Sequence, residues 1–358
     1  MDKKWRRIKI GDLGRVVTGN TPPKKDKSNY GGPYPFIKPT DMTVGHRRCN
    51  EWEETYSEKA FQRYHRAYIP PGSTGVVTIG TVGEKLFQSN RWCFTNQSVN
   101  VVIPHQGQFD PDFVYYLMKV SLPKVENANP GTASGRHHVS KSNFESIGVD
   151  VPSYERQQKI GAVLSAYDEL IENNLKRIKL LEEKAQQTYE EWFVRMRFPG
   201  HESTPIDPAT CLPEGWEVRR HEEVCSVSGG GTPSRKNSAY WEEGVIDWYT
   251  PTDLTKASCI ALKRSAEKTN ELGLQKSSAK RLPKEAFMMT SRATIGYVGF
   301  VNSDFSTNQG FINVLPQTPS DKEYLAYNFM IRKDEFIGLG TGTTFLEISK
   351  GVFRKLNI

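Results

Sequence analysis

No apolar run in the sequence approaches 18 residues, so nothing reads as a membrane-spanning helix. The chain opens on Met1-Asp2-Lys3-Lys4-Trp5-Arg6-Arg7, a charged start unlike a secretory leader. Cysteine is scarce. The five present (Cys49, Cys93, Cys211, Cys225 and Cys259) form no C-x-x-C pair and have no histidine at ligand spacing. That pattern fits a reducing compartment without structural zinc. The adjacent His137 and His138 lack a third ligand, so no metal is expected there. These absences together predict a cytoplasmic protein without membrane contact.

What is present is a globular chain of 358 residues with room for two or three domains. Its net charge of +7 is unevenly placed. Residues 1–150 carry 21 Lys and Arg against 14 Asp and Glu, residues 151–211 carry 8 against 10, and residues 212–358 carry 19 against 17. Positive charge therefore gathers at the two ends, where it invites a polyanion.

The middle has a different character. From Pro152 to Pro199 one helical period runs unbroken, with an a/d seam at Ile160, Leu164, Tyr167, Ile171, Asn174, Ile178, Leu181, Ala185, Thr188 and Trp192. Ser153 offers an N-cap and Glu155 a first-turn acid, while Arg195, Arg197 and Pro199-Gly200 form a stop. Such a rod spans roughly 60 Å. Its seam calls for a partner helix, and Asn174 for a fixed register. The bland alternative is a plain core helix with solvated charged faces.

On either side of the rod one pattern is written twice. A shift of 211 superposes Trp5 on Trp216, Asp12 on Glu223, Val16 on Val227 and Thr21-Pro22 on Thr232-Pro233. A shift of 212 superposes Pro39-Thr40-Asp41 on Pro251-Thr252-Asp253 and Thr95-Asn96-Gln97 on Thr307-Asn308-Gln309. Thr81-Val82-Gly83 meets Thr294-Ile295-Gly296, and Ser140-Lys141 meets Ser349-Lys350. So many matches in one order mark an internal repeat.

Each copy reads as mixed helix and sheet. Strands are expected at 75–79, 98–103, 147–152 and 311–315, with a last one at 356–358. A helix follows in each copy, capped by Asp110 with Pro111 in the first and by a Ser320/Glu323 box in the second. Gly/Thr-rich loops at 129–135 and 338–344 then lead into a Ser-Lys turn. The fold class is thus α+β: two tandem similar mixed α/β domains, residues 1–151 and 212–358, separated by a coiled-coil-type helix at 152–199 and a linker at 200–211. The order of domain, rod and domain predicts a second rod beyond Ile358, encoded downstream or supplied by a second copy of the chain.

This pattern resembles the DNA-specificity subunit of type I restriction-modification systems. Carrying the resemblance are Leu212-Pro213-Glu214-Gly215-Trp216, the Gly-x-Thr-Pro loops at Gly19–Pro22 and Gly230–Pro233, the Thr-Asn-Gln segments, and the proline-led helix with Glu155-Arg156-Gln157-Gln158-Lys159-Ile160. The resemblance implies two target-recognition domains, each reading half of a bipartite site in double-stranded DNA, with the helix setting the gap. It also implies a subunit with no catalysis or cofactor of its own. Modification subunits would carry S-adenosylmethionine and methylate adenine, and restriction subunits would use ATP and Mg and cut. The specificity part of a type IIB or IIG enzyme is a near alternative. An interaction scaffold with no DNA role is a further one.

Residues shared by the copies are expected to be scaffold, and differing ones to read different bases. Thr21-Pro22 and Thr232-Pro233 then form turns, with a phosphate contact as the alternative. Asn96-Gln97 and Asn308-Gln309 are expected as buried hydrogen-bonding devices, with adenine readout as the alternative. Candidate DNA contacts in the first copy are Lys24, Lys25, Lys27, Arg47, Arg48, Arg91, Arg136 and His137, and in the second Arg235, Lys236, Lys276, Lys280, Arg281 and Arg292. The shared Lys141 and Lys350 join them. Arginine suits paired bonds to guanine and lysine suits phosphate. Phe336-Ile337-Gly338-Leu339-Gly340 spells an F-x-G-x-G methyltransferase motif, but no Asn/Asp-Pro-Pro-aromatic motif accompanies it. Asp112 and the Glu182-Glu183-Lys184 run fall on separate helical segments, which argues against a nuclease centre.

Overall fold

The computed structural model describes residues 5–128 and 137–358. Arg136 and the loop expected at 129–135 lie outside them. The chain divides into two compact units, the first ending at Asn173 and the second beginning at Asn174.

In the first unit the strands are β1 (Arg6–Lys9), β2 (Gly14–Thr18), β3 (Tyr30–Ile37), β4 (Glu54–Tyr56), β5 (Thr74–Val77), β6 (Leu86–Gln88), β7 (Phe94–Thr95), β8 (Val99–Pro104) and β9 (Gly148–Val151). The helices are α1 (Glu58–Tyr64), α2 (Pro111–Val120), α3 (Leu122–Asn127), α4 (Lys141–Ser146) and α5 (Tyr154–Tyr189). One antiparallel sheet has the order β2-β8-β5-β6, a second the order β4-β3-β7 with β3 and β7 parallel, and β1 pairs with β9. Successive residues of a strand point to opposite faces. Val102 therefore joins Val16, Val76 and the α2 residues Phe113, Val114 and Met118, while Val101 joins Val77, Val99 and Phe87 on the other side. As expected, the Asp110 carboxylate caps α2, accepting the Phe113 N–H at 2.8 Å.

The second unit repeats this plan. Strands β10 (Cys225–Gly229), β11 (Ile246–Tyr249), β12 (Glu267–Thr269), β13 (Phe287–Thr290), β14 (Val298–Gly299), β15 (Phe305–Thr307) and β16 (Phe311–Pro316) form sheets ordered β10-β16-β13-β14 and β12-β11-β15. The β11–β15 pair is parallel, like β3–β7. Helices are α6 (His221–Val224), α7 (Pro251–Thr255), α8 (Glu271–Gln275), α9 (Lys322–Ile331), α10 (Lys333–Gly338) and α11 (Lys350–Arg354). The repeat in sequence is thus a repeat of topology.

Some expectations change. The Ser320/Glu323 box does not form, because Pro319 fixes a 3-10 turn over Pro319–Asp321 and holds Ser320 inside it, away from the extended N-cap backbone. The strand expected at 356–358 reduces to a single bridge of Arg220 with Asn357. The Ser-Lys turns are helix starts: the Ser140 hydroxyl caps α4 and the Ser349 hydroxyl caps α11.

The long helix starts where expected, with the Ser153 carbonyl accepting the Arg156 and Gln157 amides. It ends earlier than Pro199, in a π-helical turn over Glu190–Val194, and the seam is not its packing face. In the first unit α5 buries Gln157, Gly161 and Ser165, and the Tyr116 hydroxyl donates to Asp168 at 2.6 Å. In the second it buries Tyr189, whose hydroxyl takes the Asn328 amide at 2.9 Å, and Glu182 accepts the Ile260 N–H at 2.8 Å. The π turn delivers Phe193 to Tyr324 and Trp216 at ring distances of 4.8 and 5.6 Å. Of the seam, Ile160 packs on the first core and Ala185 and Thr188 are half-buried, but Leu164, Tyr167, Ile171, Asn174, Ile178, Leu181 and Trp192 stay exposed. Among the described residues no helix is long and apolar enough to cross a membrane.

Candidate nucleic-acid interface

Each unit carries the same polar frame at one edge of its larger sheet. Gly19 and Gly230 bring their backbones so close to the next segment that a Cβ on either would lie 2.2 Å from carbonyl oxygens of Thr95 and Asn96, or of Thr307 and Asn308. That approach explains the glycine of the Gly-x-Thr-Pro loops. Two residues on, the Thr21 hydroxyl bonds the Gln97 amide oxygen and the Thr232 hydroxyl bonds that of Gln309. The Asn96 side chain accepts the Ser98 N–H at 3.1 Å, and that of Asn308 accepts the Gly310 N–H at 2.8 Å. The Asn-Gln pairs are hydrogen-bonding devices, but the expectation of burial is corrected, since both glutamines are exposed and both asparagines half-buried.

Around this shared frame the cations differ. Arg47 is a correction: it is 2% exposed, bonded to Gln88 at 2.8 Å and to Asp112, and lies against the rings of Tyr115 and Tyr116. A guanidinium so enclosed braces the fold and cannot reach a base. Arg48 is half-buried beside it, and burial followed by the Arg47 charge pulls its pKa below the usual range. Arg91 lies over Trp52 with its guanidinium 4.8 Å from the ring.

In the second unit Arg235 forms a two-pronged pair with Glu267 and stacks 4.2 Å from the Trp241 ring. That bond holds the Glu267 carboxyl below its usual range. Arg281 pairs with Glu271, Lys141 with Glu145 and Arg292 with Glu347. Lys24, Lys25, Lys27, Lys236, Lys276, Lys280 and Lys350 are exposed and make no ion pair among the described residues. His137 is exposed, and its carbonyl accepts the Gly80 N–H at 3.1 Å.

Two clefts draw some of these residues together. In the first unit a cleft of about 390 Å³ is lined by Arg15, Arg63, Arg66 and Lys141, with Tyr64, Asn20 and Thr18 between them. The three arginines were not among the sequence candidates and make no ion pair among the described residues. Arg15 faces outward from β2, and Arg63 and Arg66 are three apart at the end of α1. Only the approach of that helix end to β2, where an Arg15 N–H reaches the Arg66 carbonyl at 3.3 Å, makes them one group. In the second unit a cleft of about 430 Å³ is lined by Arg292, Ala293, Thr294, Asn308, Gln309, Thr252 and Phe345, among others. Among the described residues no three His, Cys, Asp or Glu side chains could hold a metal ion. The geometry offers charge and hydrogen-bond donors to an anionic, acceptor-rich ligand.

Residues 2–183 and 213–358 match the type I restriction modification DNA specificity domain. The MjaIX type I restriction enzyme specificity subunit of Methanocaldococcus jannaschii is 27% identical over 368 residues, covering 97% of this chain and 81% of that one. The HindI type I restriction enzyme specificity subunit of Haemophilus influenzae is 30% identical over 187 residues, covering 50% of this chain and 39% of its own length. Among solved structures, the type-I restriction-modification system S subunit from M. genitalium shares the fold, with a TM-score of 0.60 at 13% identity over 99% of this chain and 84% of that one. Matched across both copies of its repeat, the chain belongs to the type I restriction-modification DNA specificity family.

Proposed function

We propose that the chain directs a type I restriction-modification complex to a bipartite site in double-stranded DNA, each unit reading one half-site and the helix setting the spacing. The observation that carries this reading is one polar frame built twice with different cations around it, including the cleft of Arg15, Arg63, Arg66 and Lys141. A constant frame with exchangeable rims is what two readers of different sequences require. Membership in the type I family supports this over a type IIB or IIG enzyme or a scaffold without DNA.

The chain itself catalyses nothing in this reading. Modification subunits with S-adenosylmethionine methylate adenine, restriction subunits with ATP and Mg cut, and the whole works in the cytoplasm. The exposed seam of α5 is where modification subunits, or a second copy of this chain, would dock. The test is DNA binding across a salt series for the wild type and for a triple Arg15→Gln, Arg63→Gln, Arg66→Gln variant. Removing one cation from a phosphate should flatten the log–log slope by about 0.9, so the slope of the triple variant should be shallower by about 2–3. A wild type whose binding is indifferent to salt would instead indicate a scaffold.

A further inference from the structure

We propose that Arg292 reads a base in the half-site bound by the second unit, making paired hydrogen bonds to the acceptor edge of a guanine. The inference rests on the DNA-reading role above and assigns one residue within it.

The turn bearing Arg292 exists in both units. In the second, the Ile348 N–H donates to the Ser291 carbonyl at 3.0 Å and the Ala293 N–H to the Leu346 carbonyl at 2.9 Å, with Arg292 bridged to Glu347. In the first, the Val139 N–H donates to Thr78 at 2.8 Å and the Gly80 N–H to His137 at 3.1 Å, with Ile79 bridged to His138. Gly80 and Ala293 share the left-handed backbone region at φ 90° and 63°, as do Gly83 and Gly296 at 79° and 90°. The two turns are therefore one device, and its tip is Ile79 in one copy and Arg292 in the other. Ala293 holds this left-handed conformation without being glycine, which marks a tip whose shape is kept despite strain.

What surrounds the tip is a wall of donors. The Gln309 amide oxygen accepts the Thr232 hydroxyl and that of Asn308 accepts the Gly310 N–H, so each has its NH₂ left for an outside acceptor. Thr252 and Thr294 line the same cleft, and the exposed ring of Phe345 forms its apolar side. The Arg292 guanidinium lies 5.6 Å from that ring, with its Nε 3.8 Å from the Glu347 carboxylate. Flanked by a ring and a carboxylate, this planar guanidinium suits paired bonds to the O6 and N7 of guanine better than a diffuse charge contact. In the first unit Ile79 stands at the same place, and no guanidinium lies beside it among the described residues.

The experiment uses the chain in complex with its modification subunits. Probes are double-stranded oligonucleotides in which every position of the wild-type site is varied in turn, and the variants are Arg292→Gln and Arg292→Lys. In both, preference for guanine at one position of one half-site should fall about 10-fold or more, with the other half-site and the salt slope unchanged. The lysine variant should lose preference as well, because its ammonium is a flexible point charge without the planar fork that Arg292 presents. Uniform weakening on all sequences with a slope shallower by about one would make Arg292 a phosphate contact and overturn the assignment. Unchanged specificity would overturn it equally. A wild-type complex with no sequence preference would instead sink the DNA-reading role itself.

Discussion

His221 occupies in the second unit the place that Ile10 holds in the first. Both are 0% exposed, and the His221 N–H donates to Leu356 as the Ile10 N–H donates to Ile147, each at 2.9 Å. Packed on Phe329 and Phe353, with Nδ1 donating to the Phe353 carbonyl at 2.9 Å, the imidazole is held neutral. Burial first, and then the Arg332 guanidinium, bring its pKa down to about 4. A base whose folded pKa is depressed contributes its full stability above the unfolded value of about 6.5 and loses it as pH falls through that value toward 4. The loss should be on the order of 3 kcal/mol. Denaturant midpoints between pH 4 and 8 should show it for the wild type and a much smaller loss for His221→Ile. An identical pH slope in both proteins would place the sensitive group elsewhere. Only the repeat register that sets His221 on Ile10 separates this histidine from a surface one, and Arg47 carries no such mark. Its partners Gln88 and Asp112 lie 41 and 65 residues downstream, so its burial belongs to the fold and not to any local pattern.

At the scale of elements, α5 shows which signals a sequence carries. Its period, its start at Pro152-Ser153 and the Asp110 cap on α2 are local properties of the chain and are legible. The face that packs is not, because Gln157, Gly161 and Ser165 are small or polar and hydropathy passes over them. Gln157 bridges two segments, taking the Asp110 N–H on Oε1 and donating from Nε2 to the Pro152 carbonyl, both at 3.1 Å. Gly161 admits the Asp110 cap itself: a Cβ there would stand 2.5 Å from the Asp110 carboxylate and 3.0 Å from the Phe113 nitrogen. An exposed Gly→Ala change inside a helix gains about 1 kcal/mol. Gly161→Ala should instead cost about 1–3 kcal/mol, because the helix must lift or the cap must break. Urea unfolding of the single variant decides between the two signs. A gain would show that α5 can shift on the first unit without loss.

For the molecule as a whole, the repeat is the part of the fold the sequence states most openly, since matched motifs in one order require matched topology. Which cations gather into clefts is decided by strand order and by helix ends meeting sheets, and so Arg15, Arg63 and Arg66 become a group only in three dimensions. The seam is the remaining link between the two scales. Leu164, Ile171 and Ile178 are 38%, 56% and 37% exposed, so the chain's own cores do not account for their apolar character. Replacing all three with lysine should therefore leave the melting temperature within a few degrees of wild type, as substitutions at exposed sites do. If the seam is a partner surface, the same variant should no longer co-purify with modification subunits, because each lysine would meet an apolar helix face in the complex. DNA binding by the chain alone should persist, since none of the three belongs to either cationic cleft. Light scattering of the co-expressed complex, with the melting curve as control, separates the outcomes. Retained assembly would move the docking surface off α5, whereas failed assembly with a collapsed melting temperature would mean that the seam is needed by the fold and not by the partner.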